Sequence, residues 1–296
     1  MHTQKRITPF LFLGPAVVTL ALVGIYPLIF AAWVSLHNYL LAQPNIPHDL
    51  VWLANYVTVL RDGSFWGAIG RTLFYLAVAL PIQIVLGLAI AFMLQRGAWA
   101  RLRGFARVML VIPLAMTPVV TGLIGRLIFN QEFGVANFVQ KGLTGNPIGT
   151  EWLGNPVLAF VTILLLEIWQ WTPFAALIFL SGLTAVPVEV EEAATLETRS
   201  FWVMLRSIQF PFLLPALTAI LILRTADILK QFDMVYTLTS GGPGSSTELI
   251  NLYITRIGLR GAFDQGVASA QAILMLVLTT VLSRMYIRYL YKGDDA

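Results

Sequence analysis

The sequence predicts an all-α integral membrane protein with six transmembrane helices, and three observations carry that reading. The 296 residues are 57% hydrophobic and only 11% charged, where a soluble domain carries roughly a quarter charged residues. The apolar residues are gathered into runs of the length, about 20 residues, that crosses the hydrocarbon core as a helix, without the alternating polarity that a spanning strand needs. Basic residues collect at the run ends on every second link, as in a multi-pass chain whose more basic side is cytoplasmic. The runs fall at about 10–36, 72–95, 106–129, 157–183, 212–235 and 268–290, within one domain covering 1–296.

Span 1 follows Lys5 and Arg6. It is too long for the apolar core of a signal peptide and lacks a clear small-residue cleavage site, so it is expected to be retained. Span 2 leads into a short link carrying Arg96, Arg101, Arg103 and Arg107. Span 3 carries Arg126 near its end, a residue that either snorkels to the outer surface or lines a solute path. Residues 131–156, rich in Gly, Asn and Pro, lead to span 4, and Arg199 and Arg206 lie between spans 4 and 5. Span 6 ends with Arg284, Arg288 and Lys292. Six spans put all these link arginines and lysines on one side, and the opposite loops hold fewer: Arg61, Lys141, Arg256 and Arg260. Both termini are therefore expected in the cytoplasm.

Several function classes are disfavoured. The chain has no cysteine, so no disulfide framework or thiol chemistry. The net charge of +4 sits at span ends, not on a basic face suited to nucleic acid. There is no GxxxxGK[ST] loop to hydrolyse ATP and no GxSxG or HExxH pattern. His2, His37 and His48 lie outside the spans without metal-ligand spacing, so no metal site is expected. Gly241–Gly244 reads as a tight turn rather than a phosphate cradle.

Two spans carry polar groups at membrane depth, where ionisable groups normally face protein or a water-filled path. Span 4 holds Glu167, Trp169, Gln170, Trp171, Thr172, Pro173 and Phe174. Pro173 is expected to weaken the helix there, and aromatic faces beside polar groups suit sugar rings; the alternative is an interfacial aromatic belt, for which alone Trp169 to Phe174 lie too deep in the span. Span 5 carries Arg224, Asp227, Lys230 and Asp233, alternating in sign every three residues, so that each can pair with the next. Such a ladder either orients the span or forms a polar wall on a solute path, and for Asp227 and Lys230, with neighbouring Gln231, both readings stand.

The third feature is the charged island between spans 4 and 5, 187–215. Pro187 can open a helix, and Glu189, Glu191 and Glu192 then favour the positive end of its dipole. Ala193 and Ala194 leave a bare surface for close approach. Phe201, Trp202, Leu205 and Ile208 make an apolar stripe suited to the membrane interface, and Pro211 and Pro215 are expected to close the segment.

These residues resemble a known family. Glu192-Ala193-Ala194, continuing to Ile208-Gln209-Phe210-Pro211 and Pro215, is similar to the EAA loop of the membrane permease subunits of bacterial ABC importers. The stretch Phe232-Asp233-Met234-Val235-Tyr236-Thr237-Leu238-Thr239-Ser240-Gly241-Gly242-Pro243 resembles the FD-x-x-Y-x-L-T-x-GGP signature of the carbohydrate-uptake branch, which includes maltose and glycerol-phosphate permeases. Asn55-Tyr56, Asp62 with Phe65-Trp66, and Phe263 with Gly266, Ala268 and Ala270 are weaker matches. The usual Asp-Gly of the loop is replaced by Glu197-Thr198, followed by Arg199.

The resemblance implies a type I ABC importer permease fold with a cytoplasmic coupling segment at 187–210. Its ATPase contacts would come from Glu192, Ala193, Ala194, Glu197, Arg199 and Phe201. It implies a second permease, two copies of an ATPase that bind ATP and Mg, and an extracytoplasmic solute-binding protein, in the bacterial cytoplasmic membrane. No cofactor and no catalysis would belong to this chain. Solute contacts are implied at Trp171, Phe174, Lys230 and Gln231, to which Asp227 and Arg126 are added from their chemistry. Lys230 with Arg126 and Arg224 raises an anionic cargo, a phosphorylated or sulfonated sugar or polyol, unless Asp227 or Asp233 neutralises Lys230. The alternative is a gradient-driven secondary transporter or channel, which the absence of a detectable internal repeat disfavours.

Overall fold

The computed structural model describes residues 13–43, 45, 47–95, 103–145, 149–198 and 200–290. Lys5, Arg6, Arg96, Arg101, Arg199 and Lys292 lie outside them. In chain order the helices are α1 (Leu13–Ser35), α2 (Ala54–Arg61), α3 (Gly63–Gln95), α4 (Arg103–Ala115), α5 (Pro118–Ile128), α6 (Val135–Thr144) and α7 (Pro156–Thr184). There follow α8 (Val188–Glu197), α9 (201–229), α10 (Asp233–Thr239), α11 (Ile250–Thr255, continued by a π turn) and α12 (Gln265–Leu290). Among the described residues there are two isolated bridges, His37 to Leu50 and Leu40 to Asp264, and no strand. α1, α3, α7, α9 and α12 are long and apolar enough to cross a membrane, and α4 and α5 reach that length and apolarity only as a pair, bent by 96° between them.

The structure departs from the expected spans in four places. α3 starts at Gly63, ahead of 72, because Asp62 caps it: its carboxylate accepts the Ser64 N–H at 2.9 Å. Span 3 is broken between Ala115 and Pro118. Thr117 is extended (φ −71°, ψ 149°), as a residue before proline is pushed to be, and its hydroxyl accepts the Val120 N–H to start α5. The weakness expected at Pro173 does not open α7, which runs unbroken through it with Pro173, Ala175 and Ala176 buried. Neighbouring helices hold the proline in place there. Residues 201–209 are not a separate interfacial helix. They lead straight into α9 through a π-helical stretch, Met204–Gln209, which relaxes the regular hydrogen-bond ladder next to Pro211 and Pro215, two residues that cannot donate. α9 then stops at Leu229, short of 235.

The chain divides into two compact units. The first holds the described residues up to Trp66 together with Tyr253–Val277. Here Asn55 Nδ2 donates to the carbonyls of Ser35 (2.8 Å) and His37 (3.0 Å). A Cβ on Gly266 would lie 2.5 Å from the His37 carbonyl, so only glycine permits that approach. Asp62 accepts a hydrogen bond from the Tyr253 hydroxyl. Burial alone would raise its carboxyl, but the hydrogen bonds from Tyr253 and the Ser64 N–H outweigh it and hold the group below its ordinary value. The weakly matching residues Asn55, Asp62 and Gly266 thus form structural joints.

The second unit, Gly67–Leu252 with the described residues from Leu278, has a core of α3, α7 and α9. Ala91, Phe92 and Leu94 pack with Ala175, Phe179, Leu180 and Leu183 and with Leu213 and Ile220. Small residues let these helices close up: a Cβ on Gly87 would lie 2.6 Å from that of Ala175. α5 is clamped in the same way, since a Cβ on Gly122 would meet Thr237 Oγ1 at 1.9 Å and one on Gly125 would meet Leu166 at 2.4 Å.

Candidate functional site

The polar residues of spans 4 and 5 meet in the second unit. Glu167 on α7 and Arg224 on α9 form an ion pair, both side chains 1% exposed. Two glutamines satisfy the remaining groups. Gln83 on α3 accepts from Arg224 Nε (3.2 Å) and donates to the Glu167 carbonyl (3.3 Å). Gln231, just past α9, donates to the other Glu167 oxygen at 2.8 Å. A buried pair is tolerated when its remaining hydrogen-bonding capacity is met in this way. The Arg224 guanidinium also stacks 4.2 Å over the Trp171 ring, and Trp171 meets Phe174 edge to face at 6.2 Å.

The expected charge ladder is realised over three of its four members. Asp227, 44% exposed, receives Arg224 at 3.4 Å and Lys230 at 3.8 Å. Lys230, 71% exposed, caps α9, and its carbonyl, orphaned by the helix end, accepts from Asn251 Nδ2 at 3.0 Å. Asp233 is carried away from the ladder by this break and becomes the first residue of α10, where an acid favours the helix dipole. Glu167, Arg224, Asp227 and Lys230 are two anions and two cations, so the cluster is charge-balanced. Arg126 is elsewhere, exposed, and lines a cleft of about 350 Å³ with Phe129, Gln131, Glu151 and Trp152.

Trp171, Phe174, Asp227 and Gln231 are therefore brought together, and Lys230 stands at their edge. Sequence reasoning gave no role to Glu167 or Gln83. The signal for Glu167 was present: one arginine within span 5 and one glutamate within span 4 each need a partner at membrane depth. Gln170 was also underread. Its Nε2 donates to the Met116 carbonyl at 2.8 Å, capping the free end of the broken span 3.

The charged island folds as α8, with Pro187 at its N-cap and Glu189 and Glu191 in its first turn. Glu192, Ala193 and Glu197 are exposed, but Ala194, expected on the bare surface, is only 4% exposed because its side of the helix is turned into this chain. A cleft of about 340 Å³ runs along the helix past Glu189, Ala193, Glu197 and Ile208. Phe201 begins α9, and Arg199 lies outside the described residues. The Gly241–Gly244 patch is a turn: Ser240, Gly241 and Gly244 have φ of 53°, 90° and 61°, and Thr247 Oγ1 donates to the Gly242 carbonyl at 2.8 Å.

Long apolar helices, a buried charge-balanced cluster where α3, α7 and α9 meet, and one acidic helix between two of them in the chain are the features of a multi-pass membrane transport subunit. Residues 51–293 match the family described as binding-protein-dependent transport system inner membrane component, and the chain belongs to that family. It is 33% identical to the trehalose/maltose transport system permease protein MalF of Thermococcus litoralis, over 94% of this chain and 92% of that one. It is 30% identical to the sulfoquinovosyl glycerol transport system permease protein SmoG of Agrobacterium fabrum, over 98% and 92% respectively. The fold matches a chain of a bacterial alginate ABC transporter, crystallised with an alginate-bound periplasmic protein, at a TM-score of 0.78, 20% identity and coverage of 97% and 96%. The protein is thus a permease subunit of an ABC importer and not an enzyme, and these relatives give the gradient-driven alternative no support.

Proposed function

We propose that this chain forms half of the translocation path for a neutral sugar or polyol. The observation that carries the reading is the charge-balanced Glu167–Arg224–Asp227–Lys230 cluster beside the Trp171–Phe174 pair. A sugar ring presents apolar C–H faces to aromatic rings and hydroxyl edges to polar groups, and a small number of placed polar groups fixes its orientation. Trp171, Phe174, Asp227, Lys230 and Gln231 are the proposed solute contacts on this half. Arg126 serves the outer entrance. The match to a trehalose/maltose permease supports a sugar cargo, and the balanced charges favour a neutral one over an anionic one.

The other half of the path is a second permease subunit. Two copies of an ATPase bind ATP and Mg below, and an extracytoplasmic binding protein delivers solute from above, in the bacterial cytoplasmic membrane. Both termini and α8 face the cytoplasm. α8 seats on the ATPase, with Glu192 as its ionic anchor and the exposed Ala193 as its close-packing face, while Ala194 packs inside this chain. Glu197, Arg199 and Phe201 complete the contact and the link to α9. ATP binding closes the ATPase pair, α8 moves as a lever, and the spans rock so that the cavity opens outward; hydrolysis resets it.

The test is recovery of the tagged chain from detergent-solubilised native membranes, followed by reconstitution with its partners and uptake of labelled sugars. The wild type is expected to bring down a second permease and an ATPase and to move neutral sugars. Glu192→Lys is expected to insert in the membrane yet lose at least tenfold in uptake, since a like charge at a docking contact costs several kcal/mol. Normal uptake by that variant would remove α8 as the docking helix.

A further inference from the structure

Glu191 stands apart from the other acids of α8. Glu189, Glu192 and Glu197 are exposed, whereas Glu191 is half-buried. One of its oxygens accepts two hydrogen bonds, from Gln95 Nε2 and from Gln209 Nε2, each at 3.2 Å. Gln95 is the last residue of α3, and Gln209 is the last residue of the π stretch where α9 begins its regular course. Gln209 is 6% exposed, and its own carbonyl oxygen is buried without a hydrogen-bond partner. The only side-chain hydrogen bond that Gln209 makes among the described residues is therefore the one to Glu191.

We infer that Glu191 is the positioning residue that transmits motion of α8 into α3 and α9. The geometry points to these two helices because they are tied together twice. At one level Glu191 holds the end of α3 through Gln95 and the start of α9 through Gln209. At the other, Glu167 holds the same two helices through Gln83 and Arg224. Between the two junctions lies the apolar core of Phe92, Phe179, Leu213 and Ile220. A densely packed core of this kind transmits displacement rather than absorbing it. α7, which carries Glu167, passes to α8 over only residues 185–187. A push on α8 thus reaches α3 and α9 through a charged acceptor at the membrane edge and arrives at the polar cluster as one rigid displacement. The exposed Glu192 and Ala193 would grip the ATPase, while the half-buried Glu191 is held by Gln95 and Gln209.

This inference rests on the reading of α8 as the ATPase-docking helix. Its test uses the whole importer in liposomes, with partner permease, ATPase and binding protein, and reads solute moved per ATP hydrolysed. Glu191→Ala is expected to keep the complex together and hydrolysing, while the ratio falls at least about fivefold, the low end of a typical coupling free energy. Glu191→Gln keeps an oxygen that accepts both bonds and is expected to restore most of the ratio. A merely structural role would lower transport and hydrolysis in proportion, and that result, or an unchanged ratio, would overturn the inference. Where Glu191→Ala does not assemble, Gln95→Leu and Gln209→Leu decide the matter. Each removes one donor and leaves α8 intact, each is expected to lower the ratio, and no fall in either overturns the clamp. A wild-type chain that recovers no ATPase would instead sink the docking reading itself.

Discussion

Glu167 and Arg224 show how far a residue can be understood from its chemistry and where that stops. Each is an ion that the membrane interior penalises, and each is 1% exposed. Their stability depends on the pair being complete, with Gln83 and Gln231 taking up the remaining hydrogen-bonding capacity. Removing one partner strands the other, so Glu167→Ala is expected to cost about 3–5 kcal/mol. The measurement is the unfolding temperature of the purified complex in detergent. The double variant Glu167→Leu with Arg224→Met is expected to recover much of that loss, because an apolar pair of similar volume replaces a buried ion pair at little cost. A double variant as unstable as the sum of its singles would show that the pair is not the unit. The ladder of Arg224, Asp227 and Lys230 was legible because its partners are three residues apart on one helix. Glu167 lies 57 residues away in sequence from Arg224, on another helix, and no local pattern announces a contact of that range.

At the level of elements, the long apolar runs and the α8 island were legible, because length and charge placement are local properties. The bend of span 3 was not. Its sequence, with Pro113 and Pro118, reads as one apolar run, and the break is stabilised from outside it by Gln170 on α7. The end of α9 is similarly supported by Asn251, 21 residues further on, whose Nδ2 donates to the orphan Lys230 carbonyl. α5 owes its position to glycine: Gly122 lies against Thr237 and the Met234 carbonyl of α10, with no room for a Cβ. Gly122→Val is therefore expected to destabilise the complex by about 1–3 kcal/mol through overpacking. Gly142→Ala on α6 meets nothing within 4 Å and, with an ordinary helical backbone, is expected to be neutral or to stabilise by up to about 1 kcal/mol. Parallel unfolding measurements on the two variants check the contrast, and equal behaviour would refute the close-packing account of α5.

For the whole molecule, the question that charge decides is the cargo. Read along the sequence, Lys230, Arg126 and Arg224 suggest a basic path for an anion. In three dimensions Arg224 is matched by Glu167, Lys230 is matched by Asp227, and Arg126 lies at a different cleft. The sequence could not show this balance, because half of it depends on the contact between α7 and α9. Lys230→Met leaves the cluster one unit negative, with Asp227 still paired to Arg224. Asp227→Asn leaves it one unit positive. A unit charge about 6 Å from a solute, at an effective dielectric of about 20, is worth about 3 kcal/mol. Asp227→Asn is therefore expected to shift uptake toward anionic sugars by tenfold or more relative to neutral ones, and Lys230→Met to shift it the other way. Competition between a labelled neutral disaccharide and a sulfonated sugar, measured in liposomes carrying the whole importer, reads both shifts directly. A wild type that prefers the sulfonated sugar and loses it in Lys230→Met would mean that Lys230 leaves Asp227 to meet the cargo, and the neutral reading would fall.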